Sequence, residues 1–178
     1  ATASAGSIEW YDAASGGNNV GSSSSGATFT TSSISSTTTY YAEAVDGSCT
    51  SASRTAVVAT VNSQPTVSSS SGGSRCETGN VDLSATASSG SIKWYNASSG
   101  GTLLNTGDNF STGSIASTTD YYAEADDGTC TSAARTTVTA TVTAIPTVTG
   151  STPGSRCGTG TIALAATASA GDIKWYDA

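Results

Sequence analysis

The sequence predicts an all-β protein built from tandem sandwich repeats of about 81 residues. Three observations carry that expectation. The chain repeats itself at a fixed interval, its apolar residues alternate with period two, and no segment sustains the 3.6-residue period of an amphipathic helix.

The repeats are explicit. ATASAGSIEWYDA at 1–13 returns as ATASSGSIKWYNA at 85–97 and as ATASAGDIKWYDA at 166–178. Trp10, Trp94 and Trp175 are thus equivalent, as are Cys49 and Cys130, and Cys76 and Cys157. The spacing is 81 residues except between Trp10 and Trp94, where it is 84. The three extra residues fall in or near Ser22–Ser25. Pro65 and Pro146 mark the joints, which gives an incomplete repeat at 1–63, a complete one at 64–144 and a second incomplete one at 145–178. Half a β-domain cannot bury its core. The expectation is either a window into a longer array or broken ends completed by neighbouring chains. With no initiator Met and no signal peptide, the true N-terminus is expected elsewhere.

Within the complete repeat, Val81, Leu83, Ala85 and Ala87 alternate with Asp82, Ser84 and Thr86, a strand with one apolar face. Ile92 and Trp94 oppose Lys93 and Tyr95 on the next strand. Ser98-Ser99-Gly100-Gly101 turns the chain into a short Leu103–Leu104 segment. Phe110 to Ile115 reads as another strand. Tyr121, Ala123 and Ala125 alternate with Tyr122, Glu124 and Asp126, and Asp127-Gly128 is a hairpin signal. Val138, Ala140 and Val142 alternate with Thr in the last strand. That makes about seven strands. A Trp on the third and a Tyr pair opening the sixth match an immunoglobulin-like sandwich. The Ala-rich inner face implies a thin core.

Composition excludes several functions. Ser and Thr fill 64 of the 178 positions, charged residues only 11%, and the net charge is −7. No basic footprint for nucleic acid exists, and no apolar run approaches the roughly 18 residues of a membrane span. The chain has no His, so neither a Ser-His-Asp arrangement nor the commonest metal ligand is available. We expect no enzyme, no cofactor and no metal.

Taken together, SRCGTGTIALAATASAGDIKWYDA and STTDYYAEADDGTCTSAARTTVTATV resemble the bacterial Ig-like repeats that occur in tandem in giant secreted surface proteins and adhesins of Bacteroidota, some exported by the type IX route. The resemblance covers essentially the whole chain. It implies an Ig-like fold, an extracellular or cell-surface location, a spacer or adhesive role and no catalytic residues.

The regular placement of Cys49, Cys76, Cys130 and Cys157 predicts disulfides in an oxidising compartment. A bridge within the repeat, Cys76 to Cys130, would close a loop of about 54 residues and contribute about 4 kcal/mol. Against it, a strict Ig topology puts these positions roughly 20 Å apart, whereas a bridge needs Cα atoms within about 7 Å. A staple from one repeat to the next, or Cys49–Cys76 with Cys130–Cys157, stay open. Asn96 and Asn109 fit the N-glycosylation pattern, against a plain turn reading. Ser22, Ser23, Ser24 and Ser25, Ser32–Thr39, and Ser68, Ser69, Ser70 and Ser71 are candidate sites of O-linked sugar. Glu43 with Arg54 and Glu124 with Arg135 predict cross-strand ion pairs worth under about 1 kcal/mol if exposed. Asp126-Asp127-Gly128 reads as a turn before a weak calcium loop. Tyr95 and Tyr122 face outward, to cover neighbouring strands or to stack on a sugar. The favoured function is a semi-rigid, fibre-forming spacer in an extracellular filament or long surface protein. Its partners would be neighbouring repeats and covalent glycans, with self-assembly into fibres by strand donation as a variant. The alternative is a carbohydrate-binding or adhesin module.

Overall fold

The computed structural model describes residues 1–177. It is all-β, with no helix among the described residues. The chain divides into two compact units, Ala1–Gln64 and Pro65–Ala178. The first holds β1 (Ser7–Tyr11), β2 (Asn19–Ser24), β3 (Thr38–Asp46), β4 (Cys49–Thr50) and β5 (Thr55–Ala59). The second holds β6 (Val67–Ser71), β7 (Gly73–Cys76), β8 (Gly79–Ala87), β9 (Ser91–Tyr95), β10 (Leu103–Thr106), β11 (Asn109–Ile115), β12 (Thr119–Asp126) and β13 (Thr136–Thr143), followed by β14 (Val148–Thr152) and β15 (Ala165–Ala168).

Strands β6 to β13 form the complete sandwich. One sheet runs β10-β9-β12-β13-β7 and the other β11-β8-β6. Alternation decides which side chains meet between them. Val81, Leu83 and Ala85 from β8 and Phe110 from β11 face Ile92, Trp94, Tyr121, Ala123, Ala125, Val138 and Ala140, and all are buried. Trp94 stacks on Phe110 with ring centroids 5.5 Å apart, and Phe110 meets Tyr121 edge-on at 5.1 Å. The Trp94 indole N–H is satisfied by the Gly107 carbonyl at 2.8 Å.

The sandwich has eight strands where the sequence pattern suggests about seven. The first strand is split. β6 pairs antiparallel with β8, and β7 pairs parallel with β13 in the other sheet. The chain crosses between sheets at Gly72-Gly73. A Cβ on Gly73 would lie 2.4 Å from the Asp82 carbonyl oxygen, so only glycine fits the crossing. Because of the split, Trp94 sits on the fourth strand of the sandwich.

Residues 1–64 carry only one sheet. β1 lies between β2 and β3, and β5 and β4 both pair with β3. Trp10 faces Ala42 across β1 and β3, as Trp94 faces Ala123 across β9 and β12. Residues 28–34, equivalent to β11, form no strand. The sequences are close, TFTTSSI against NFSTGSI, but β11 pairs with Gly79 to Ser84 of β8, and residues 1–64 hold counterparts only of position 85 onward. Residues 145–177 are the converse. β14 and β15 repeat β6 and the end of β8, and pair with each other.

Gly90 closes the turn between β8 and β9 with φ +77°, and a Cβ there would lie 2.1 Å from the Asp126 carbonyl oxygen. Both the left-handed backbone and the clash oppose a side chain. Gly90→Ala is expected to destabilise the sandwich by at least about 2 kcal/mol, read as a lowered urea midpoint. An unchanged midpoint would contradict this packing.

Candidate functional site

Four kinds of candidate can be built from the residues upward: the ionic clamp on the outer sheet face, the cysteines, the hydroxyl and amide positions, and the apolar faces of the incomplete repeats.

The clamp exceeds what the sequence suggests. Arg135 Nε donates to the Glu124 carboxylate at 3.1 Å, and one terminal nitrogen donates to the Ala97 and Gly100 carbonyls at 2.7 Å each. The guanidinium also lies over the Tyr95 ring, 3.3 Å from its centroid. Arg54 repeats this on Tyr11, Ala13 and Gly16, with Glu43 at 3.8 Å. Both arginines are largely buried, so these are not the weak exposed pairs of the sequence reading. The recurrence of a Tyr after each Trp was the available signal for the ring contact. The Tyr95 face is thereby taken up by Arg135. Arg135→Ala should cost about 2–4 kcal/mol by urea unfolding, through lost charged hydrogen bonds and packing. Arg135→Lys should recover little, because a point charge cannot replace the planar fork.

Lys93 is ion-paired to Asp126. That hydrogen bond holds the Asp126 carboxyl below its ordinary value, with help from the Gly128 N–H, and holds the Lys93 ammonium above its own. Asp127 is held down by the N–H groups of Cys130 and Thr129, so its oxygens serve the turn. Asp12 is held down by the Asn18 side-chain amide and then the Asn18 backbone N–H. A carboxyl with a lowered folded pKa contributes stability that is present above the unfolded pKa and lost as pH falls through the folded value. The urea midpoint should therefore fall as pH drops below about 4, and Asp126→Asn with Asp127→Asn should blunt that fall. The raised Lys93 contributes below about pH 10.4 and loses that contribution as pH rises through its higher folded value.

All four cysteines are unpaired thiols in the structure. Cys76 ends β7 opposite Thr143, the last residue of β13, where the chain leaves the sandwich. Cys130 sits beyond the bridge of Asp126 to Thr131. That end also holds Thr66, whose backbone exchanges hydrogen bonds with Ser88, and is where the chain arrives. The two thiols therefore stand at opposite poles, separated by the length of β13, roughly 23 Å at about 3.3 Å per residue. This geometry is incompatible with a Cys76–Cys130 bridge. Cys49 occupies the arriving pole of the first unit, on β4 against Asp46, and Cys157 is exposed.

Asn96 is exposed and its Oδ1 accepts from the Thr102 N–H at 2.8 Å, as Asp12 does from Asn18. It thus closes a turn, while its exposed position leaves the amide nitrogen accessible. Asn109 is exposed at the start of β11. In the first Ser run, Ser23 accepts the Trp10 indole N–H and Ser25 bonds Ala3, while Ser22 and Ser24 are exposed. In the second, Ser68 and Ser69 bond Thr86, and Ser70 and Ser71 are exposed.

The fourth kind of candidate is the apolar faces of the two incomplete repeats. Val57 is 38% exposed, while its counterpart Val138 is 3% exposed. It lines a groove with Ala1, Ile8, Ala42 and Ala44. Leu164 and Trp175 are 57% and 59% exposed, while Leu83 and Trp94 are 2% and 0%. They line a cleft with Val148, Pro153 and Ile173. Positions buried in the complete repeat are thus bared in both partial ones.

Fold, repeat period and site geometry together define a class, the tandem Ig-like β-sandwich repeat protein. The chain belongs to the family described as Ig-like domain CHU_C associated, whose model matches residues 1–62 and again 63–143. No curated protein matches the chain. The family has a non-catalytic fold and suggests a structural or adhesion-type extracellular module. Its domains are typically extracellular or surface-associated, and no helix among the described residues is long and apolar enough to cross a membrane.

Proposed function

We propose that the chain is a structural segment of an extracellular filament or long cell-surface protein, serving as a semi-rigid spacer. The observation that carries this reading is the recurrence of one sandwich design at a fixed period with a very short joint. Only four residues, 144–147 with Pro146 among them, separate β13 from β14. So short a proline-containing linker restricts swivelling. The hydroxyl-rich, acidic surface supports the same reading, since a net charge of −7 keeps the chain soluble and repels like chains. Covalent sugar on the exposed Ser22, Ser24, Ser70, Ser71, Asn96 and Asn109 would add to it.

Negative-stain micrographs of purified protein should show beads in line, one for each sandwich of about 81 residues. Featureless single globules would overturn the reading. A carbohydrate-binding role is less well supported, because the Tyr95 face is covered by Arg135. Glycan binding lost on Tyr122→Ala would favour that role instead.

A further inference from the structure

We propose that the complete repeat is built to bear tension along the chain, and that the parallel ladder between β7 and β13 is the element that resists the pull. The inference deepens the spacer reading and rests on it, since a spacer under tension carries force through its repeats in series.

Connectivity decides how the sandwich feels a pull. The chain enters it at Pro65 and leaves it after Thr143, at the last residue of β13. At the entry, the Thr66 N–H donates to Ser88 Oγ at 2.9 Å, and the Ser88 N–H donates to the Thr66 carbonyl at 2.8 Å. From there β6 and β7 run toward the opposite pole. β7 lies parallel to β13, with Gly73, Ser74, Arg75 and Cys76 beside Ala140, Thr141, Val142 and Thr143. Tension on the two ends of the chain therefore drags β7 and β13 in opposite directions along one axis. Their hydrogen bonds lie across that axis, so shear strains them together. Strands pulled from one shared pole would instead unzip bond by bond. β6 meets the same pull against β8, but a register shift between Val67 and Ser69 interrupts that ladder. The ladder of β7 and β13 has no such break.

The ladder is also reinforced at its far end. Glu77, one residue past β7, donates its N–H to the Thr143 carbonyl at 2.8 Å. Thr143 Oγ1 donates to the Arg75 carbonyl at 3.2 Å. On its other side β13 has no β12 partner beyond Ala140. There the Thr118 hydroxyl accepts from the Val142 N–H at 3.0 Å and donates to the Val142 carbonyl at 3.3 Å. Thr37 holds Val61 in the same two-bond way.

Core formation does not account for β7. Gly73 is half-buried, and Ser74, Arg75 and Cys76 are exposed, so the strand covers almost no apolar surface. Yet the chain needs a glycine to reach this position. Gly154, 81 residues on, makes the same close approach: a Cβ there would lie 2.3 Å from the Ala163 carbonyl oxygen. A strand that buries so little and demands such a crossing contributes main-chain pairing to the last strand.

The test pulls the 178-residue chain by its two ends in a single-molecule force instrument. Alternate N–H groups of a strand point the same way, so the Arg75 N–H faces β13 as the Glu77 N–H does, and the Ser74 N–H faces away. Wild type should show a dominant rupture that frees on the order of 250 Å of chain. Arg75→Pro removes a donor to β13 and should lower that rupture force by at least about a third. Arg75→Ala and Ser74→Pro keep the donor and should leave the force near wild type. Thr143→Val, a milder change in the same ladder, should lower it by less, and serves if the Arg75→Pro chain does not fold. In urea the order should invert: Leu83→Ala should lower the midpoint more than Arg75→Pro does, and the rupture force less. An unchanged force in Arg75→Pro and Thr143→Val would overturn the proposal. So would a force that follows the urea midpoint across all the variants, or a complete repeat that yields without a resolved rupture. Beads in line on the same protein would then leave the spacer reading standing.

Discussion

The fold depends on one constraint: each sheet of the sandwich carries an apolar face that the other sheet covers. In the complete repeat the five-stranded sheet presents Ile92, Trp94, Ala123, Ala125 and Ala140, all with essentially no exposure, and the three-stranded sheet supplies Val81, Leu83, Ala85 and Phe110 against them. Burial of this face is the main favourable term. Residues 1–64 carry one sheet. The equivalent side chains are in place, but the buried set shrinks to Ile8, Trp10, Tyr40 and Ala42. The remaining core depends on Phe29, which stacks on Trp10 at 4.9 Å from a segment with no strand partners of its own.

Much of this was legible in the sequence, because period-two alternation is a local signal and the repeats can be read by comparing one stretch with another. Val81-Leu83-Ala85, Ile92-Trp94 and Tyr121-Ala123-Ala125 bury as their alternation requires. The split of the first strand was not legible. It arises from backbone crowding at Gly72-Gly73, and Ser-rich β6 has no apolar alternation to mark its end. Nor does the sequence show that 28–34 forms no strand while 109–115 does. Strand formation there is decided by a partner remote in sequence, and propensity cannot report a partner.

The outer face of the large sheet carries a second, polar layer of order. Its Glu–Arg spacing of 11 residues was readable, but the spacing says nothing about depth. The guanidinium lies on a tyrosine ring, between a carboxylate and the carbonyls of the turn that follows the Trp strand. One side chain thereby ties the hairpin of β12 and β13 to the turn between β9 and β10. The same tie joins Arg54 to residues 13 and 16 in the first unit, where the second sheet is missing. The clamp therefore belongs to the one sheet and ties its own turns together.

That division of labour bears on how so thin a core is organised. A core built so largely from alanine gives little burial energy per residue, about 25 cal/mol for each Å² of apolar surface covered. Most of the apolar area therefore lies in a few large side chains, Trp94, Phe110, Tyr121 and Leu83, which meet across the sheets. Their counterparts are Trp10, Phe29 and Tyr40 in one partial repeat, and Leu164 and Trp175 in the other. The sheet of residues 1–64 keeps its aromatic cluster and its clamp, so the order of that sheet rests on those two features.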